Sequence, residues 1–274
     1  MKKNVRFSFI LSACIMTTVA FFWGNAFGAE ERPSISIAQR ALDMQEVQNV
    51  MSKHEYIRDN TEELNTIWVR QDGPHAKTAK WTSPAGIWEG MELIMSYYGT
   101  ASNESEKKSL EAIHELYPDI EVKPENYGIG TWGFNSPTNP VIEIAGDGKT
   151  AKGIWESNGP YLFPSVVDGK VVVHGTWFWR TYAVDFVKED GQWKFWHMNI
   201  VYDVSSPLDA EYGMDYTKVK APERDTYKGG GQPGLPSPTR PNPDPYPSWS
   251  PTRVRPAQPR VPEPYYTFSE TFSY

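Results

Sequence analysis

Residues 171–203, VVVHGTWFWRTYAVDFVKEDGQWKFWHMNIVYD, hold two long β-rich runs on either side of Glu189-Asp190-Gly191-Gln192. An Asp-Gly pair between alternating hydrophobic segments specifies a tight hairpin. Strict alternation puts Val172, His174, Thr176, Phe178, Arg180 and Tyr182 on one face, and Trp177, Trp179, Thr181 and Asp185 on the other. On the return run Trp196, Met198, Ile200 and Tyr202 form one row, and Trp193, Phe195, His197, Asn199 and Val201 form the opposite one. Neither face is purely polar. One face is therefore expected against a core, the other under a helix, a ligand or another subunit, and the ionisable groups that interrupt them are the first candidates for chemistry.

Helical patterns precede this hairpin. Residues 43–58 predict a helix with Asp43 as N-cap and Glu46 closing a capping box. Val47, Val50, Met51, His54 and Ile57 follow the spacing of a buried stripe, so His54 is expected to point inward. A second helix is predicted over 61–70, and a third over 90–98 with Met91, Ile94, Met95 and Tyr98 on one face. Residues 102–116 form an amphipathic, heavily charged and solvated helix. Residues 81–88 are read as a turn-rich connection. Strands are expected at 141–145, 150–157 and 161–167, with turns at Gly146-Asp147-Gly148-Lys149 and Val167-Asp168-Gly169-Lys170. Helices followed by antiparallel strands predict an α+β domain: a cone-shaped, curved antiparallel sheet wrapped by N-terminal helices.

The chain ends are different in kind. Lys2, Lys3 and Arg6, an apolar run to about Phe22, and Ala26-Phe27-Gly28 before Ala29 read as a signal peptide over residues 1–28 of an exported, periplasmic or secreted protein. Leu11-Ser12-Ala13-Cys14 offers a bacterial lipobox instead, leaving a lipid-anchored Cys14, and an uncleaved anchor is a third alternative. Cys14 is the only cysteine. A chain cleaved at Ala29 has none, which excludes disulfides, thiolate catalysis and Cys-based zinc sites. The folded domain is placed at 29–207 and an extended tail at 208–274, where thirteen prolines fall between Pro222 and Pro264, preceded for the most part by Gly229-Gly230-Gly231. The aromatic end of this tail, from Tyr265 to Tyr274, is expected to dock on this or another subunit as an added strand.

Lys and Arg number 27 against 34 Asp and Glu, a net charge of −7. With no clustered basic stripe, nucleic acid is not an expected partner. No P-loop, GxGxxG, HExxH or GxSxG is present. Histidine suits proton transfer near neutral pH. His54, His174 and His197 fall in regular elements beside aromatic residues, whereas His75 sits in a Gly-Pro loop and His114 on the charged helix. No histidine pair has a short ligand spacing, so no metal is expected. Trp155, Trp177 and Trp179 would wall a pocket for an aromatic or polycyclic compound, and Asp185 or Asp59 would orient an imidazole.

Asn139-Pro140-Val141-Ile142-Glu143-Ile144, Gly146-Asp147, Thr150-Ala151-Lys152-Gly153 and Asp190-Gly191-Gln192-Trp193-Lys194-Phe195, together with His54, Tyr56 and Glu62-Glu63-Leu64, resemble the SnoaL-like family of the nuclear transport factor 2-like superfamily. That group includes scytalone dehydratase, bile-acid dehydratases and polyketide cyclases. The resemblance covers residues 40–206. It implies a cone-shaped pocket and acid-base chemistry from His, Asp and Tyr without metal or organic cofactor. It puts Tyr56 near a first-helix tyrosine that polarises substrate, His174 near a catalytic histidine and Asn199 near a last-strand asparagine. The chain departs from the family pattern in two places: Phe134 and Asn135 stand where a histidine is common, and Ile57 where an aspartate is usual, with Asp59 displaced.

These readings combine into an exported, cofactor-independent lyase or isomerase with catalytic His174, His54 and Tyr56. Substrate contacts are expected from Trp155, Trp177, Trp179, Tyr98, His197 and Asn199. The alternative is a non-catalytic small-molecule-binding or oligomeric scaffold protein of the same fold. A homo-oligomer, dimer or trimer, is expected in either case, with the tail available to wrap a neighbouring subunit.

Overall fold

A computed structural model describes residues 32–57, 60–207, 236–243 and 259–274. The segment read as a signal peptide, Cys14 and Asp59 lie outside the described residues. The elements below all belong to one unit, Ile35–Tyr274. They are helices α1 (Ile37–Ile57), α2 (Thr61–Asn65), α3 (Met91–Tyr98) and α4 (Thr100–Leu116), and strands β1 (Lys80–Ser83), β2 (Gly86–Glu89), β3 (Trp132–Gly133), β4 (Ser136–Ile144), β5 (Thr150–Val167), β6 (Lys170–Glu189) and β7 (Gln192–Pro207).

Two Asp-Gly turns set the sheet. Asp168, Gly169, Asp190 and Gly191 all have positive φ, at 50, 71, 49 and 75°. That is the type I′ geometry whose twist matches the flanking strands. β5, β6 and β7 are thereby paired in a continuous antiparallel ladder. The two strands expected at 150–157 and 161–167 are one 18-residue strand that runs through Gly159-Pro160. The strand order is β2-β1-β7-β6-β5-β3, with β4 also on β5.

The sheet is mixed rather than wholly antiparallel. Residues 81–88, expected as a turn-rich connection, contain the hairpin β1–β2, and β1 runs parallel to β7 with Trp81 opposite Met198. A four-residue strand carries too short an alternation to be recognised; here its buried ring, Trp81, packs against Trp88, Tyr97 and Tyr98.

The helices also depart from their expected starts. α1 begins six residues earlier, at Ile37, where Ser36 Oγ accepts a hydrogen bond from Gln39 N at 3.1 Å. Asp43 is consequently not a cap. It is buried in mid-helix, where it accepts from Lys188 Nζ at 2.5 Å and Trp193 Nε1 at 3.1 Å, clamping α1 to the β6–β7 turn region. α2 is shorter than expected. Asn60 caps it, accepting from Glu63 N at 3.2 Å, and the chain then turns extended, so that Val69 N and Phe195 O bond at 3.0 Å.

A one-residue irregularity changes the faces of β7. Asp185 pairs His197 but the next residue, Phe186, pairs Phe195, so Trp196 is the extra residue of a bulge. Phe195 and Trp193 thus join Met198 and Ile200 in the core under α1, while Trp196 turns outward to stack on His197 and meet Phe268. Strict alternation had assigned these rows the other way.

The core lies between α1, α3 and the inner sheet face, around Met51, Trp68, Trp155, Phe186 and Phe195. Trp155 folds back over its own strand: a Cβ on Gly153 would lie 2.1 Å from the indole. Two stretches of the tail are described. Arg240 pairs Ile87 at the β2 edge, and Trp88 Nε1 donates to Pro236 O at 2.9 Å. Residues 259–274 cover the outer face without joining it as an added strand, through side-chain contacts and a few backbone hydrogen bonds.

Gly153→Ala is expected to destabilise the protein by about 1–3 kcal/mol, because the indole must leave its rotamer or the strand must shift. Urea or thermal unfolding measures this, with a companion loss of the Trp155 near-UV signal.

Candidate active site

The inner face carries a connected polar cluster around His54. His54, on the last turns of α1, is 3% exposed. Its Nδ1 lies 3.0 Å from Glu55 Oε1, and with a carboxylate as partner this nitrogen carries the proton. Nε2 is then left as a lone pair, and it is buried with no hydrogen-bond partner. The rings of Phe195, Tyr98 and Tyr182 surround the imidazole edge-on at 5.4, 6.4 and 6.5 Å.

Glu55 continues the chain of contacts. Its Oε2 accepts from Asn135 Nδ2 at 2.9 Å, and Asn135 Oδ1 accepts from Arg180 Nη1 at 3.1 Å. The Arg180 guanidinium lies over the rings of Phe178 and Tyr202, at 4.2 and 4.7 Å. Its Nε is likewise buried and unpartnered. Burial disfavours the Arg180 charge, but the Tyr202 and Tyr182 phenols and the Glu55 carboxylate outweigh it and hold the guanidinium above its usual range. Tyr97 is pushed up to about 12, first by burial and then by the neighbouring Tyr202 and Tyr161, with Arg180 opposing. The cluster thus contains a carboxylate-held imidazole, a fixed cation and several neutral phenols in apolar surroundings. A base and a positive site held together in a low-dielectric setting can remove a proton and stabilise the resulting negative charge.

A model of the SnoaL-like domain matches residues 39–199. The chain belongs to the SnoaL-like family. The match takes in α1, the inner cluster and the sheet as far as Asn199, so the cluster is built within the SnoaL-like domain itself. No curated protein matches the sequence. Similar solved structures include a scytalone dehydratase assignment from Novosphingobium aromaticivorans, at 13% identity and TM-score 0.43, covering 64% of this chain and 94% of that one. Another is a hexachlorocyclohexane dehydrochlorinase from Novosphingobium barchaimii, at 18% identity and TM-score 0.42, covering 65% and 99%.

The residues expected at the site of this SnoaL-like protein are divided by the fold. His54, Tyr98 and Trp155 do lie on the inner side, Trp155 fully buried with Nε1 donating to Gln48 Oε1 at 2.8 Å. Tyr56, two residues from His54 on a helix, points the opposite way and is 90% exposed. His174 shares the inner face of β6 with Tyr182 but lies eight positions away, about 26 Å along the strand. There its Nε2 contacts Ser165 Oγ at 2.6 Å and its ring stacks on Phe163. Trp177 and Trp179 pair with each other on the outer row, at 6.3 Å between centroids. His197 is buried on the outer face, against Asp185, with Asn199 on the same row. The three strand-and-helix histidines therefore do not meet.

Glu55, Asn135 and Arg180 are the partners that sequence reasoning missed. Arg180 was visible as a cation interrupting an aromatic row, and Asn135 as one of two residues, with Phe134, standing where a family histidine is common. Glu55 carried no signal apart from its adjacency to His54. A separate open cleft of about 430 Å³, lined by Thr61, Glu62, Asn103, Lys107 and Tyr127 among others, holds none of these groups.

Because Tyr97 ionises only near pH 12 in the folded protein, folding opposes loss of its proton. Stability is expected to be intact below the ordinary tyrosine pKa of about 10 and to fall as pH rises from there through about 12. Tyr97→Phe should flatten that alkaline decline, measured as unfolding midpoint against pH.

Proposed function

We propose that this SnoaL-like protein is a lyase or isomerase that works by acid-base chemistry on a small aromatic or polycyclic compound, with His54 as the base. The observation that carries this reading is the buried, unpartnered Nε2 of an imidazole whose other nitrogen is held by Glu55. The imidazole takes a proton from a substrate carbon: the C–H bond breaks, the proton goes to Nε2, and the electron pair is left on the substrate. It either expels a group from the adjacent carbon or accepts the proton back at another position. Glu55 stabilises the imidazolium, Asn135 holds Glu55, and Arg180 with Tyr182 faces the negative charge that develops. Tyr98 and Trp155 supply apolar surroundings that keep the proton transfer dry. Export through the N-terminal segment belongs to the same proposal.

Turnover is best sought with aromatic and polycyclic compounds bearing an acidic C–H beside a carbonyl or leaving group, followed by mass spectrometry in deuterated water. His54→Gln is expected to lower turnover by about 10²–10⁴, Glu55→Gln by less, and His174→Ala to leave it unchanged. A His54→Gln protein that turns over at the normal rate removes the assignment.

One observation favours the scaffold reading. At the far end of the β5–β6 hairpin Tyr161, Phe163 and Val172 are exposed on one face, an apolar surface of the kind that pairs copies of a chain. Light scattering is expected to show an oligomer that Phe163→Asp with Val172→Asp converts to monomer. A native protein that is monomeric at all concentrations excludes this reading.

A further inference from the structure

The outer face of the sheet holds a second buried polar cluster, which the proposed chemistry does not use. Lys152 of β5 and Asp185 of β6 are both fully buried, and Lys152 Nζ donates to Asp185 Oδ1 at 2.5 Å. His197 of β7 meets Asp185 Oδ2 at 2.8 Å, and its Nε2 lies 3.0 Å from Thr78 O. Burial works against the Asp185 charge, but the hydrogen bonds and charges of His197 and Lys152 outweigh it and hold the carboxyl below the usual carboxylate range.

Residues 259–274 close this cluster. Phe272, Phe268 and Tyr274 place their rings 4.4, 4.8 and 4.8 Å from Lys152 Nζ. Asp185 Oδ2 accepts from Tyr274 N at 2.9 Å and from Ser273 Oγ at 3.1 Å. Tyr265 O and Tyr266 O accept from Gly146 N and Asp147 N in the β4–β5 turn. Gly146 is open to this approach, since a Cβ there would lie 2.4 Å from the Tyr266 ring. The segment is also organised within itself: Tyr274 Oη donates to Arg260 O at 2.6 Å, and the Arg260 guanidinium lies over Phe272 at 4.9 Å.

We propose that the outer sheet face around Lys152, Asp185 and His197 is a binding site for an aromatic-rich peptide, and that residues 259–274 are its tethered ligand, leaving and returning as a unit while the domain stays folded. The nature of the site is the reason. An apolar patch uncovered by a departing segment aggregates. Lys152, Asp185 and His197 gain water when uncovered, because exposure removes the desolvation that burial imposes on charged groups. The recognition is chemical rather than topological: an ammonium takes aromatic faces, and a carboxylate takes a backbone N–H and a hydroxyl. The closing segment is covalently part of the same chain, so its return to the site is an intramolecular event.

The experiment uses the full chain with a protease recognition sequence placed within residues 244–258. After cleavage, a fluorescent synthetic peptide of residues 259–274 is expected to exchange with the cut segment, read by anisotropy, while circular dichroism of the domain is unchanged. A peptide with Phe268→Ala and Phe272→Ala should bind about tenfold more weakly or worse, a comparison that leaves the domain's sequence intact. Lys152→Met in the domain should weaken binding similarly wherever that variant folds. A domain that unfolds or aggregates on losing the segment, a segment that never exchanges, or an alanine peptide that binds equally well overturns the proposal.

Discussion

One of the two register shifts along the β6–β7 ladder decides which side of the sheet Trp193, Phe195 and His197 reach. At the Asp185–Phe186 step the ladder skips Trp196, and period-two alternation means that a shift of one position exchanges the two faces. The bulge is what lets Phe195 enter the core beside His54 while His197 goes outward to Asp185. Without it, Phe195 and His197 would share a face, and one of the two polar clusters would lose a member.

The sheet consequently carries polar chemistry on both sides of the same strands. Inside, α1 brings His54 and Glu55 against Asn135 and Arg180, with the tyrosine rings restricting water. Outside, Lys152, Asp185 and His197 form an ion cluster under the aromatic end of the tail. Both clusters satisfy the rule that buried charge requires partners. They differ in one respect that matters for function: the outer cluster is saturated by the chain's own tail, whereas the inner one leaves His54 Nε2 and Arg180 Nε unpaired.

Much of the architecture was legible because its signals are local. Asp-Gly turns require positive φ, and both at the ends of β6 adopt it. The buried stripe Val47, Met51, His54 follows from helical spacing, and the structure buries all three. The β1–β2 hairpin was not legible, since four residues give too little alternation, and the parallel pairing with β7 joins segments more than a hundred residues apart. The site was legible in part. His54 was found by its spacing. Tyr56 was not excluded by spacing alone, although two residues along a helix turn a side chain by roughly 200°, to the exposed face. His174 shows the limit of face assignment: the correct face of a long strand still leaves it far from the helix that supplies His54.

The sequence by itself determined the α+β class, the hairpin register at its two turns, the inward direction of His54 and the SnoaL-like character of residues 39–199. These depend on patterns that repeat within a few residues of one another. Tertiary structure alone decided that Glu55, Asn135 and Arg180 complete the inner cluster, that His197 and Asp185 face outward, and that the aromatic tail covers them. Those contacts join positions far apart in the chain, and their pairing depends on strand order, a bulge and the docking of a distant segment, none of which any local spacing encodes.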